Sequence, residues 1–170
     1  MTNMNYEIRA VDWIKAEALG EPGARHFRIL VYGQEGRACL WIEKGQLLRL
    51  CIGIRQLIAI QPDYLANDDS DLPENAFSSH DAIDIQFNVT QISLERDHDG
   101  DLLSIDVQGI RDESDDVVGM TIWCSRDLLV GLADEAEAVC AAGRPICELC
   151  HSPISDNHHV CPKTNGHVVL

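Results

Sequence analysis

No stretch of this 170-residue chain stays apolar for anything near the roughly 20 residues that cross a bilayer. The opening residues, Met1-Thr-Asn-Met-Asn-Tyr6-Glu7, bring neither the basic nor the apolar segment of a secretion signal. Both absences lead to the expectation of a soluble, cytoplasmic protein. Basic residues are scarce as well: 13 Lys and Arg stand against 28 Asp and Glu, for a formal net charge of −15. The shortage is uneven, with eight basic and six acidic residues in 1–60 but five and twenty-two in 61–170. A surface of that sign repels phosphate backbones and anionic lipid, so neither nucleic acid nor a membrane is an expected partner. Solvation of an acidic surface, or a protein partner, is the natural reading.

Catalytic signatures are missing too. Gly20-Glu-Pro-Gly23 lacks the Lys-Ser/Thr ending and the spacing of a phosphate-binding loop, and no Gly-x-Gly-x-x-Gly follows a strand. Neither Gly-x-Ser-x-Gly nor His-Glu-x-x-His occurs, so no hydrolase chemistry can be assigned and whether the protein is an enzyme stays open. Asp97, His98, Asp99 and Asp101 lack the bidentate glutamate spacing of a calcium loop and read as a polar hairpin turn. Arg25, His26 and Arg28, beside Arg37, read as strand-surface charge in preference to an anion site. Trp41 and Trp123 are expected to anchor the core, since tryptophan buries a large apolar area.

What is present supports one core: hydrophobic residues make up 45% of the chain. Its segments follow one order twice. Tyr6–Leu19 reads as a strand, Gly20–Gly23 as a turn, Arg25–Tyr32 as a strand, and Gly33-Gln-Glu-Gly36 as a hairpin turn into Arg37–Glu43. Between Gly45 and Ile60, apolar residues recur at spacings of three and four, which predicts a helix. The second block has strands at Ile83–Glu95, Leu102–Gly109 and Val117–Cys124. A helix capped by Ser125 or Asp127 then runs to about Ala142, where Gly143 and Pro145 stop it. The predicted fold is α+β: a largely antiparallel sheet of about six strands from two βββα-like blocks, packed by two helices. Block one covers 1–60, an acidic linker 61–82 and block two 83–143, with a zinc-binding tail at 144–170.

That tail carries the most specific signal. Cys147-Glu-Leu-Cys150 is followed by His158-His159-Val-Cys161, a spacing that can wrap backbone around a metal and return soft ligands to close a tetrahedron. Cys147, Cys150 and Cys161 are firm candidates for binding Zn²⁺. His159 forms a His-x-Cys pair, and His158 would need a different turn. His151 and His167 are extra ligand candidates, read in preference as surface histidines. The other cysteines, Cys39, Cys51, Cys124 and Cys140, stand singly among apolar residues, and an odd total of seven argues against a disulfide framework.

The segment from Gly143-Arg-Pro through Cys147-Glu-Leu-Cys150, Pro153-Ile154, His159-Val-Cys161-Pro162 and Asn165-Gly166 resembles the ending of a bacterial family catalogued as domain of unknown function 3090. Gly20-Glu-Pro-Gly23-x-Arg25-x-Phe27 and Glu43-Lys44 before a leucine-rich helix resemble its other hallmarks, so the resemblance runs nearly end to end. It implies His159 as the fourth zinc ligand. Two departures stand out: His151 and His158 occupy places where the family usually has glycine. The expected function is a zinc-stabilised interaction or adaptor module with a structural metal site. An enzyme acting on a small molecule in a cleft between the blocks is the alternative, and a thiol redox or metal sensor using Cys147 and Cys150 is the third reading.

Overall fold

The computed structural model describes residues 4–59, 85–96, 102–111, 116–144, 147–152, 154 and 161–164. The acidic linker 61–82 and the turn carrying Asp97, His98, Asp99 and Asp101 lie outside them. Strands β1 (Met4–Ile8), β2 (Val11–Leu19), β3 (His26–Gly33) and β4 (Gly36–Ile42) precede helix α1 (Lys44–Ala59). Strands β5 (Ile85–Arg96), β6 (Leu103–Ile110) and β7 (Val117–Cys124) precede α2 (Arg126–Ala141), and one 3-10 turn at Pro162–Thr164 follows. No helix among the described residues is long and apolar enough to cross a membrane.

The α+β class and the two helices agree with the sequence, but the sheet is mixed and has seven strands in the order β1-β7-β6-β5-β4-β3-β2. One cause is a break in the first expected strand at Arg9–Ala10. Beyond it the chain changes partner, β1 pairing parallel with β7 and β2 antiparallel with β3. The other cause is the helix between blocks. A hairpin reverses the chain, whereas a helical crossover returns it in the same sense, so β4 and β5 are parallel. Because the two end strands of this order are consecutive in sequence, the sheet curls until its edges meet at Ala10. There the Ala10 amide donates to Glu35 Oε2 (3.3 Å), and the Gln34 amide donates to the Ala10 carbonyl (3.1 Å).

β5 repeats this change of partner within one strand. Ile85–Asn88 pair parallel with β4, and residues from Asn88 onward pair antiparallel with β6. The register shifts at Val11/Trp13 in one ladder and at Val89/Gln91 in the other. Each irregularity lies beside a glycine with no room for a side chain. A Cβ on Gly33 would stand 2.5 Å from the Ala10 oxygen and 2.7 Å from Ile8 Cγ2; one on Gly109 would stand 2.2 Å from the Asn88 oxygen and 2.3 Å from Phe87 Cδ2.

Strand alternation sends one set of side chains into the core. Ile29, Val31, Leu40, Phe87, Ile105 and Ile122 meet Leu47, Leu50 and Ile54 of α1 and Leu129, Leu132 and Ala136 of α2. Each fully buried Leu or Ile contributes about 1.5–3 kcal/mol by removal from water. The same alternation corrects the expectation for Trp41 and Trp123. Their neighbours Leu40, Ile42, Ile122 and Cys124 take the inward positions, leaving both tryptophans half-buried on the outer face, where Trp41 packs against a small second core of Trp13, Leu30 and Cys39. Trp123 Nε1 donates to Glu7 Oε1 (2.9 Å), and it is Trp13 that is buried.

Ser125 caps α2 by accepting from the Leu128 amide, and the Ala142 N–H reaches back to the Ala138 carbonyl (3.0 Å) before the chain leaves the helix. The four cysteines outside the tail are buried and unpaired; burial pushes the Cys124 thiol up to about 12. Those thiols are inert packing groups.

Candidate functional site

The structure brings Cys147, Cys150 and Cys161 together: their sulfurs all lie within 4.8 Å of one another. Between the first two, residues 148–150 form a turn closed by backbone bonds. The His151 amide donates to the Cys147 carbonyl (2.8 Å), and the Cys147 amide donates to the Ser152 carbonyl (2.9 Å). Closing so short a loop requires left-handed backbone, and His151 supplies it at φ 58°. For a residue with a Cβ that conformation costs about 1–2 kcal/mol, which explains why glycine suits the position. His151 is exposed and is not a member of the sulfur cluster. Its part is therefore turn geometry. His158, His159 and His167 lie outside the described residues.

The donor set fits a metal ion. Cys147 Sγ and Cys161 Sγ are 3.9 Å apart, close to the roughly 3.8 Å edge of a tetrahedron with metal–sulfur bonds of about 2.3 Å, and far from the roughly 2.05 Å of a disulfide. Cys147 and Cys161 are buried, and Cys150 is partly so. Burial holds the Cys161 thiol above its ordinary range; the Lys163 amide pulls the other way, and the neighbouring Cys150 and Cys147 raise it again. Thiolates so placed repel each other unless a cation lies among them. Neither Cys147 nor Cys161 belongs to the main hydrophobic core.

Replacing His151 by glycine should relieve the left-handed strain without removing a ligand. The expected result is unchanged metal content and roughly fivefold better retention against a chelator, equivalent to about 1 kcal/mol. A loss of metal in that variant would make His151 a ligand.

A second feature is a cleft of about 870 Å³ between the two blocks. Its walls are the start of β3, the end of β4, the first residues of β5, the first residue of α1 and the Gly143–Arg144 segment after α2. Of the basic residues grouped in sequence near the first turn, Arg25 and His26 line it. Arg28 does not, being held by Glu17 at 2.8 Å with its guanidinium 5.6 Å from the Trp41 ring centre. Burial raises the Glu17 carboxyl, but Arg28 and Lys15 overcome it and leave the group below its ordinary range, so Arg28 is neutralised at neutral pH. Arg37 sits at the opposite end of β4 from the cleft.

Sequence reasoning missed Lys44 and Arg144 as cleft residues. Both stand in motifs quoted for the family resemblance, but their convergence depends on a sheet order that those motifs do not encode. It also missed Asp106 on the outer face, which accepts from Thr121 Oγ1 (2.6 Å) and Ser104 Oγ (2.9 Å). Two hydroxyl donors satisfy that carboxylate, and its role is structural.

A family model described as a protein of unknown function (DUF3090) matches residues 6–161. No curated protein and no solved structure matches the chain.

Proposed function

We propose, from the premise that this chain belongs to the DUF3090 family, that it is a zinc-stapled interaction module in the cytoplasm whose metal site is structural. The observation that carries this reading is the meeting of three sulfurs from two separate segments. Thiolates are soft ligands that suit Zn²⁺, and His159 would complete a closed set of four with no position left for a substrate. Cys147, Cys150, His159 and Cys161 would then fix a tail, 144–170, that stands apart from the α+β domain of 1–143. The ion supplies cross-linking and no reaction. Redox exchange is less well supported, because Cys147 and Cys161 are buried and the Cys-x-x-Cys pair does not open a helix.

A fixed turn presents what lies between its ligands. Leu149 is 49% exposed at the tip, an apolar side chain that a partner pocket would cover. Leu149→Asp should leave the metal in place and abolish cross-linking to the stoichiometric partner captured by the unaltered protein from its native cell. Capture of no such partner by the unaltered protein, or equal capture by the variant, contradicts the adaptor role.

One observation favours a second reading, in which the protein binds a small molecule. The cleft between the blocks is within the roughly 300–1,000 Å³ typical of ligand sites and has convergent polar groups.

A further inference from the structure

The charge of the cleft is opposite to that of the chain. Arg25, Lys44 and Arg144 line it with His26, against the single carboxylate of Glu43. In a protein with 28 acidic and 13 basic residues, three cations around one concavity are not a sample of the surface. Neither Arg25 nor Lys44 pairs with an acid among the described residues; Arg25 Nη1 donates only to the Val139 carbonyl (3.4 Å). A second concavity, lined by Glu7 and Asp106 among others, has the acidic character expected of this chain.

Glycines make room for the cations. A Cβ on Gly23 would sit 3.3 Å from Arg144 Nε, and one on Gly143 would sit 3.4 Å from Lys44 Nζ, so both side chains lean over bare backbone. Lys44 is also the first residue of α1, a 16-residue helix with no acidic residue in its first turn. The positive end of that helix's dipole adds to the potential in the same space. Gln86 and Asn88 contribute neutral polar groups from β5, and Trp41 an apolar wall. Two segments of block one, a strand of block two and the segment after α2 thus converge on one volume.

We infer that the cleft binds a small polyanion, a metabolite carrying a phosphate group or several carboxylates, through Arg25, Lys44 and Arg144. This rests on the small-molecule reading of the cleft and is independent of the metal centre. Two cations without acidic partners repel each other, and an anion placed between them relieves that repulsion while forming charge-assisted hydrogen bonds. Affinity should therefore fall steeply with salt.

The test is titration of the full, metal-loaded chain at low ionic strength with inorganic pyrophosphate, with citrate and with neutral adenosine, followed by amide shifts of Gly23, Lys44 and Gly143. Pyrophosphate, citrate or both should move those amides, which identifies the phosphate or carboxylate chemistry. Arg25→Ala with Lys44→Ala should weaken that binding by roughly a hundredfold or more, as expected for two charged hydrogen bonds. Lys44→Arg should retain it, and Arg49→Ala, a cation outside the cleft, should not change it. Anion binding unaffected in the double variant overturns the inference. So does a cleft that responds to adenosine but to neither anion, an outcome that leaves the small-molecule reading standing. No response to any probe removes both.

Discussion

Cys161→Ser is expected to leave the protein without stoichiometric metal and the tail without its fold. The substituted sulfur is fully buried and is the one sulfur of the cluster contributed from beyond the turn, so its loss leaves the Cys147–Cys150 pair with no thiolate to close against. Structural zinc contributes about 10–16 kcal/mol in small peptides, more than this short segment could gain by apolar burial. Hydrogen exchange should show amides of residues 147–152 and 161–164 losing protection. The sheet should barely respond, because neither Cys147 nor Cys161 is part of the main core. A metal-free sample of the unaltered chain should behave alike. A single cooperative collapse of sheet and tail together would contradict the separation of the two units.

Gly109→Ala should destabilise the domain by about 3 kcal/mol or more, the upper end of overpacking costs. The added carbon would meet a backbone oxygen, Asn88 O at 2.2 Å, and the Phe87 ring at 2.3 Å. A flexible side-chain tip could swing aside, but this oxygen is pinned where β5 changes partner from β4 to β6. The melting temperature should drop by roughly 10 °C for a chain of this size. Gly131→Ala is the contrasting case. Nothing lies within 4 Å of its added carbon on the exposed face of α2, so it should gain up to about 1 kcal/mol from helix propensity. Equal effects from the two substitutions would mean that the β5 junction is not rigid.

Much of this architecture was legible before any coordinates. Apolar spacing of three and four located α1, and the Ser125 cap located α2, because these signals are local to each element. The break at Arg9–Ala10 was not legible: Tyr6 to Leu19 reads as one extended run, and only the pairing with β7 on one side and β3 on the other divides it. Trp41 and Trp123 misled for a related reason. Size predicts burial, but in a strand the parity of the position decides, and Leu40 and Ile122 hold the inward places. Parallel joins escaped notice because nothing local marks where a helical crossover lands.

At the site, the cysteine spacing announced the cluster, since cysteines three and fourteen positions after Cys147 need little tertiary information to meet it. The left-handed turn at His151 was also foreshadowed by the glycine that the resemblance led one to expect there. The cleft was not. Its cations come from positions 25, 44 and 144, and proximity arises only after β3, β4, β5 and the two helices have packed.

X-ray absorption at the zinc edge of untagged protein tests the metal centre most directly. One zinc per chain is expected, with three sulfurs at about 2.3 Å and one nitrogen at about 2.0–2.1 Å. A shell without three sulfurs, a bound solvent in the fourth position, or zinc retained after combined Cys147→Ser and Cys161→Ser substitution would contradict a closed structural site.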